Sequence, residues 1–373
     1  MKLGTFMMPL HPPSRIASET LLEDREAIIL ADRLGYSEAY VGEHVTDLAE
    51  NVKSCLMFLS SLAFDTHQIK LGSGTINMPN GHPAAIAANV AMLDHMLKGR
   101  FIMGISPGGL ASDAEVFGNF GRDRLDMFVE AIDMVMAIWK CTAPYDLQGK
   151  YFNISTARTM IPEIGQGIIL KPYQLPHPPI VVTAVAPFSK GITAAASRGW
   201  DLISANFLLP QWVASHWPSY VEGCAQAGRP ADPAQWRVAK SIFVTDDDDA
   251  LARRYGHSSE GPYYFYFRFF TKNVFACRGR LNHLCAVLGV RRAQNTPSLR
   301  GSARAAARSG KKSTPRPCVK LRPACAFRSL PATRVSTLEF LISFEMVWPH
   351  QPRPMTATLN FSLLDIQIKL KQG

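Results

Sequence analysis

The feature that most constrains the fold of this chain is the alternation of strand-like and helix-like segments between Lys2 and Val244. Each strand candidate is a short apolar run, and consecutive runs are separated by helix-like segments, which is the arrangement of parallel βα units. Seven such units favour a (β/α)8 barrel, the TIM-barrel type of α/β fold, over an open doubly wound sheet. The predicted strands are Lys2–Met8, Ser37–Val41, Ile69–Ile76, Arg100–Ile105, Pro179–Ala184, Asp201–Ser204 and Trp236–Val244.

The helix-like segments carry start and stop signals that agree with this pattern. Gly35 follows the first helix, and Pro83 stands in the first turn of the third, where the missing N–H has no cost. No Gly-x-Gly-x-x-Gly motif follows the first strand, which argues against a dinucleotide-binding sheet. The predicted helices are Glu19–Leu34, Ser54–Phe64, His82–Met96, Leu125–Trp139, Ser189–Ser197 and Gln211–Ala227.

The charge of the chain divides it into two parts. Residues 269–373 hold 18 basic and 3 acidic residues, whereas residues 1–268 hold 22 basic and 27 acidic ones. The net charge of +10 therefore comes entirely from the last part, and the first part is a mildly acidic globular domain. We expect residues 1–268 to form the barrel, with about seven βα units, and residues 269–373 to be an atypical basic tail.

The barrel pattern stops where the tail begins. No Asp or Glu occurs from Gly261 to Leu338, and this stretch offers no convincing eighth strand and helix. A shifted reading frame or disorder explains the change in composition, and a genuine tail that binds an acidic partner is the alternative. A nucleic-acid partner is not expected, because the basic residues have little aromatic interleaving and form no recognisable module. A barrel that is incomplete at its C-terminal end exposes strand edges, so the chain is expected to aggregate or to bind a ligand poorly.

Cysteines and hydropathy narrow the class of protein further. The seven cysteines show neither a CxxC pair nor metal-ligand spacing, so no metal is expected and Cys55, Cys141 and Cys224 are interpreted as buried free thiols. No apolar run reaches the length of a membrane helix, and Pro9 interrupts the first apolar run. A soluble cytoplasmic protein is the expectation.

Polar and small residues gather where the predicted strands end. Glu43 and His44 follow the second strand, and Gly74, Thr75 and Asn77 lie at the end of the third. In a parallel barrel the reactive groups sit at this carboxyl rim. Two further strand ends contribute Ser106, after the fourth strand, and the segment Ala186–Ser189 that includes Phe188, after the fifth. Arg122 lies at the start of the long helix that follows the fourth strand.

Several of these pieces together resemble the luciferase-like flavin monooxygenases, over about residues 1–268. The resemblance to the subgroup that includes limonene monooxygenases lies in Gly4–Pro9 and in Gly256–Pro262. The resemblance to the family as a whole lies in Glu43-His44 and, between Gly72 and Gly109, in Asn80-Gly81-His82-Pro83, Leu93-Asp94, Lys98-Gly99-Arg100-Phe101 and Gly104-Ile105-Ser106.

The resemblance implies a barrel that holds reduced FMN, often as a homodimer. A separate flavin reductase supplies the flavin, which reacts with O2 to a C4a-hydroperoxide that oxygenates an organic substrate. The expected substrate is a small hydrophobic compound such as a terpene or an alkane, and Phe6, Met7, Met78 and Phe207 are candidates to contact it. An F420-dependent oxidoreductase and a non-catalytic flavin-binding protein remain the alternatives, and a third is a monooxygenase that is inactive in this form.

The resemblance also implies roles for the residues at the rim. His44 matches the family's histidine near the flavin and is the catalytic candidate, because an imidazole exchanges protons near neutral pH. Glu43 is expected either to orient His44 or to form a simple ion pair. The flavin ring is expected against Gly74, Thr75 and Asn77. The phosphate is expected at the helix start formed by Ala186, Phe188 and Ser189, with Arg122 in reach. One departure concerns Ser106: some members of the family have an arginine after this position, where this chain has Pro107.

Overall fold

The computed structural model describes residues 2–241 and 339–343, which belong to one compact unit. The predicted α/β architecture is confirmed: one large sheet is surrounded by helices. The strands are β1 (Lys2–Met7), β2 (Glu38–Val41), β3 (Lys70–Ser73), β4 (Ile76–Asn77), β5 (Phe101–Ser106), β6 (Asp146–Gln148), β7 (Asn153–Ser155), β8 (Ile180–Ala184), β9 (Asp201–Ser204), β10 (Trp236–Ser241) and β11 (Glu339–Ser343). Of these, β6 and β7 form a separate antiparallel hairpin.

The strand pairings close the large sheet into a ring. Its order is β3-β2-β1-β11-β10-β9-β8-β5, and β3 also pairs with β5. All pairs are parallel except those of β11, which runs antiparallel to both β1 and β10. The expectation that the edges next to the missing unit stay exposed is therefore wrong for the described strands, because a short segment of the basic tail pairs with both. The predictions for residues 242–338 and 344–373 lie outside the described residues.

The helices follow the predicted segments with two corrections. They are α1 (Ala17–Arg33), α2 (Cys55–Ser60), α3 (Pro83–Met96), α4 (Ala111–Val116), α5 (Arg124–Lys140), α6 (Lys190–Ser197), α7 (Pro210–Ala214) and α8 (His216–Gln226). The segment predicted as Ser54–Phe64 is helical only to Ser60, and the segment Gln211–Ala227 consists of two helices. The second break has a cause in the sequence, since Pro218 is tolerated in the first turn of a helix and not in its interior.

The third predicted strand is also divided. Residues 69–76 form β3 and β4, and the chain turns between them at Gly74-Thr75, which are joined by a cis peptide bond. Gly72 is required in β3, because a Cβ there would lie 2.4 Å from the Tyr40 ring. His82 accepts a hydrogen bond from the Ala84 N–H through Nδ1 (3.3 Å) and caps α3, as its place before Pro83 predicts.

The barrel interior is filled in layers, because alternate residues of each strand point inward. One layer is apolar and buried, and it consists of Phe6, Tyr40, Ile102, Val181, Ile203 and Ala239. An ionic cluster lies two residues before this layer on three of the strands. In it, the Arg237 guanidinium binds Glu38 through Nε (2.6 Å) and Asp201 through Nη1 (3.1 Å). The apolar layer and the buried ionic cluster thus fill the barrel interior toward the amino ends of the strands.

The helices pack on the outer face of the sheet over the largest apolar core, which includes Ile28, Leu71, Val90, Met103 and Ile138. Within the described part of the chain, no helix has both the length and the hydropathy that crossing a bilayer requires.

Candidate active site

Small residues occupy most inward positions at the carboxyl ends of the strands. In the layer that follows the apolar one, these positions are Gly42, Gly74, Gly104, Thr183, Ala205 and Ser241, and the larger Met8 is the exception. Added side chains have no space at two of these positions: a Cβ on Gly104 would lie 1.9 Å from the Ser73 carbonyl oxygen, and one on Gly42 would lie 2.9 Å from Met8 Sδ. The carboxyl end of the barrel is therefore lined by backbone and small side chains, against which a flat ring can lie.

Thr75, Asn77 and Ser106 meet at this end in one hydrogen-bonded group. The Thr75 hydroxyl donates to Ser106 Oγ (2.6 Å), and Ser106 Oγ donates to Asn77 Oδ1 (3.1 Å). The Gly108 N–H also donates to Ser106 Oγ (3.1 Å). The structure thus brings together three residues that the sequence placed only on neighbouring strand ends, and the half-buried Thr75 and Ser106 border the opening.

Glu43 has a different role from the one expected. Its carboxylate accepts hydrogen bonds from the Cys55 N–H (2.9 Å) and the Asn77 N–H (3.1 Å), and its carbonyl accepts one from Asn77 Nδ2 (3.2 Å). The prediction that Glu43 orients His44 is corrected, because both carboxylate oxygens are used to join the start of α2 to β4. Glu43 therefore holds the rim together and does not contact the imidazole.

His44 is oriented by Asp113 instead, a residue of α4. The distance from His44 Nδ1 to Asp113 Oδ2 is 3.0 Å, and Asp113 also accepts hydrogen bonds from the N–H (2.8 Å) and the hydroxyl (2.5 Å) of Thr46. Burial on its own would raise the pKa of Asp113, but the hydrogen bonds from His44 and Thr46 outweigh it and hold the pKa at about 2. Asp113 is consequently an anion at neutral pH, and Nδ1 of His44 carries a proton.

The pKa of His44 is raised by its surroundings. Burial would lower it, but the hydrogen bond to Asp113 and the negative charges of Glu50, Asp113 and Asp47 have the larger effect. The side chain is 17% exposed, so His44 is sheltered and still reaches the opening. The strand-end pattern identified His44 but not its partners: Asp113 lies 69 residues away in the sequence, and Glu50 lies in the loop after β2, outside the strand-end motif.

The segment Ala186–Ser189 lies between β8 and the start of α6. Ser189 is the N-cap residue of α6, but its hydroxyl makes no capping hydrogen bond. The first N–H groups of a helix also lack intrahelical acceptors, so this helix start offers donors for an anion. Phe188 has a φ of 51° and an exposed side chain, and its N–H donates to Ser215 Oγ (3.0 Å).

A buried histidine that the sequence did not single out supports this segment. His216 is fully buried and bridges Ala186 O, 2.9 Å from its Nε2, and Ser204 Oγ, 2.8 Å from its Nδ1. Since Nε2 must donate to the carbonyl, Nδ1 accepts from Ser204, whose oxygen in turn accepts from Trp236 Nε1 (2.9 Å). Burial lowers the pKa of His216, which keeps the ring neutral in this arrangement. Its only signal in the sequence is its place just before Pro218 at a helix start.

Other predicted residues do not belong to this group. Arg122 is exposed, and within the described residues its side chain has no hydrogen-bond or ionic partner, so its contact with the phosphate segment is not seen. Met7 and Met78 are packed in the core outside the barrel, which corrects the expectation that they contact a substrate.

Cys55 and Cys224 are buried as predicted, whereas Cys141 is exposed because it follows α5 at its C-terminal end. No cluster of metal-ligating side chains occurs in residues 2–241.

Comparisons with known proteins agree with this arrangement. The family model described as luciferase-like monooxygenase matches residues 1–329, which extends beyond residue 268 into the basic segment. The 4-hydroxyprotoasukamycin monooxygenase of Streptomyces nodosus subsp. asukaensis is 30% identical over 254 residues, 66% of this chain and 65% of that protein. Limonene 1,2-monooxygenase of Rhodococcus erythropolis is 28% identical over 253 residues, 66% of this chain and 61% of that protein. The chain thus spans less than two thirds of the length of either relative.

Among solved structures, the oxygenating constituent of 3,6-diketocamphane monooxygenase from Pseudomonas putida, in complex with FMN, superimposes with a TM-score of 0.67. The alignment covers 80% of this chain and 81% of that one at 23% sequence identity, a likeness that concerns the fold. The barrel fold and the match of the family model over most of the chain lead to one conclusion: this chain belongs to the family of luciferase-like monooxygenases.

Proposed function

We propose that this protein is a flavin-dependent monooxygenase that uses reduced FMN and O2 to oxygenate a small hydrophobic substrate. The observation that carries the proposal is the pairing of His44 with Asp113 at the carboxyl end of β2, beside a barrel mouth lined by glycines. A sheltered imidazole with a raised pKa can hold a proton and exchange it near neutral pH.

The residues present fit FMN at three points. The layer of small residues that includes Gly74 accommodates a flat ring against the backbone, and Thr75 and Ser106 supply neutral hydroxyl groups at its edge. The start of α6, with the unused Ser189 hydroxyl, supplies donors for the phosphate. When bound, reduced FMN would supply the electrons for the activation of O2. In this proposal His44 holds a proton at the ring, Asp113 fixes the orientation of His44, and the apolar layer excludes water from below.

The substrate class rests on the relatives. Limonene and diketocamphane, named in two of them, are small apolar ring compounds, and the half-buried Phe207, which follows β9, offers apolar surface near the mouth of the barrel, whereas Phe6 is buried in the apolar layer below it. The diketocamphane protein is described as an oxygenating constituent, which supports a separate flavin reductase as the source of reduced FMN. The homodimer and the cytoplasmic location remain predictions.

The decisive experiment mixes the purified full chain anaerobically with reduced FMN, then adds air and a panel of limonene, a bicyclic ketone and an alkane. We expect reduced FMN to bind and oxygen to be incorporated into at least one substrate. Tight flavin binding without product would instead indicate a flavin-binding protein, and hydride transfer with F420 without oxygen use would indicate the deazaflavin alternative. Failure to bind either cofactor would contradict the proposal as a whole.

The variant His44→Gln tests the assignment within the same assay. We expect product formation to fall by about 10²-fold or more, because general acid–base groups typically contribute 10²–10⁴, while the affinity for reduced FMN changes little. His67→Gln is the matched control, since His67 is exposed and precedes β3 at the opposite end of the barrel. An equal loss in both variants would remove His44 from the mechanism.

A further inference from the structure

We propose that Glu50 is a positioning residue for His44, which holds the imidazole from the side opposite to Asp113 and keeps it protonated. The proposal rests on the proposed function in that His44 is the acid–base group. It adds a residue that lies outside every strand-end motif, in the loop between β2 and α2.

The geometry places Glu50 at the second nitrogen of the ring. Glu50 Oε2 lies 3.6 Å from His44 Nε2, while Asp113 occupies Nδ1 at 3.0 Å. The carboxylate is nine-tenths buried, and Oε2 has no hydrogen-bond partner among the described residues. A buried carboxylate oxygen without a partner is costly, so its position 3.6 Å from His44 Nε2 requires an explanation. An imidazolium at His44 supplies the missing positive charge.

The charges around the pair lead to the same assignment. Three carboxylates face His44, namely those of Asp47 and Glu50 in its own loop and of Asp113 in α4. The Lys53 ammonium is the further cation facing Glu50, and it donates to the backbone carbonyls of Asp47 and Glu50. These three anions outnumber the cations, so the group favours the protonated form of His44.

Burial accordingly raises the pKa of Glu50 to about 7, with further contributions from Asp47 and Asp113 that His44 and Lys53 oppose. His44 and Glu50 each affect the pKa of the other, so they titrate as a coupled pair. In the ionised form Glu50 stabilises the imidazolium of His44, so that His44 keeps its proton to a higher pH than it would alone.

The test is the titration of His44, which does not require turnover. The full chain is labelled with ¹⁵N-histidine, and the ring signals are followed from pH 5 to pH 9, with His44 assigned by the loss of its signals in His44→Gln. In Glu50→Gln we expect the pH at which His44 loses its proton to fall by about one unit, because an opposite charge within about 4–6 Å typically shifts a pKa by 1–3 units. Glu115→Gln, an exposed charge on α4 two residues from Asp113, is the matched control and is expected to leave it unchanged.

An unchanged His44 titration in Glu50→Gln would overturn the proposal, and so would an equal shift in Glu115→Gln, which would mean a general charge effect. If Glu50→Gln does not fold, Glu50→Asp keeps the charge at a greater distance and is expected to lower the same titration by a smaller amount. In the oxygenation assay, the alkaline limb of the pH profile is expected to move to lower pH in Glu50→Gln. A shifted titration with no oxygenase activity in the unmodified chain would refute the proposed function and leave the Glu50–His44 pairing established.

Discussion

At the residue scale, Asp113 shows how one carboxylate fixes both a side chain and a loop. It receives hydrogen bonds from the His44 ring and from the N–H and hydroxyl of Thr46. The pKa of Asp113 is lowered from 3.8 to about 2 because these donors stabilise its ionised form. A lowered carboxyl pKa is also a contribution to the stability of the fold.

Asp113→Asn is therefore expected to lower the free energy of unfolding at pH 7 by about 2 kcal/mol. The contribution of Asp113 is fully present above the unfolded pKa of 3.8 and is lost as the pH falls toward 2, so the two proteins should converge in acid. Chemical denaturation at several pH values measures the difference. Asp126→Asn, which removes an exposed carboxylate that pairs with Lys150, is the control and should have little effect. A difference that is independent of pH down to the acid transition would contradict this account.

At the scale of elements, α8 supports the segment that leads into α6. Ser215 binds the Phe188 N–H and His216 binds the Ala186 carbonyl, so two consecutive residues at the start of α8 fix the backbone before α6. His216→Phe keeps a buried ring but removes both of its hydrogen bonds. We expect a loss of stability of about 1–3 kcal/mol from the unpaired Ser204 and Ala186 groups.

The same variant is expected to weaken the binding of FMN by about tenfold, roughly 1.4 kcal/mol, and to leave that of riboflavin nearly unchanged, because riboflavin has no phosphate. Binding of both reduced flavins to the variant and to the unmodified chain gives the ratio directly. Ser204→Ala keeps the bond to Ala186 and should show a smaller effect. If FMN and riboflavin lose affinity equally, the segment before α6 does not hold the phosphate.

The sequence predicted the elements better than it predicted the contacts between them. Apolar runs separated by helical stretches located all seven strands of the barrel's parallel part, because each strand is buried on both faces. The junction between α7 and α8 was missed, although Pro218 marks it, and so was the turn at Gly74-Thr75 that divides β3 from β4. Partners such as Asp113 for His44 depend on how helices pack on the sheet, which no local pattern contains.

At the scale of the whole molecule, Arg237 joins three strands of the barrel through a buried ion cluster. Arg237→Met leaves Glu38 and Asp201 without their partner in a buried place, and we expect a loss of about 3–5 kcal/mol. Denaturant unfolding measures the loss. Adding Glu38→Gln and Asp201→Asn to Arg237→Met should recover much of it, since no buried charge then remains unpaired. A triple variant that is less stable than the single one would show that the cluster contributes more than charge compensation.

The closure of the barrel by β11 gives a second prediction at this scale. Ile342 stands opposite both Leu3 and Val238, so a proline there interrupts the pairing with β1 and with β10. Ile342→Pro is expected to lower the unfolding midpoint and to increase aggregation, because two strand edges become exposed. Thermal unfolding and light scattering of the full chain measure both effects. An unchanged midpoint would mean that the tail does not contribute this strand to the stable fold.

The apolar layer of Phe6, Tyr40 and their neighbours has a thermodynamic consequence. It lies between the ionic cluster around Arg237 and the small-residue layer at the barrel mouth, and the Arg237 and Asp113 clusters share no hydrogen-bond partner in the described residues. Changes at sites without shared partners usually add within about 0.5 kcal/mol. The losses of unfolding free energy caused by Asp113→Asn and Arg237→Met should therefore add in the double variant. A mutation that weakens one end of the barrel should not change the effect of a mutation at the other end.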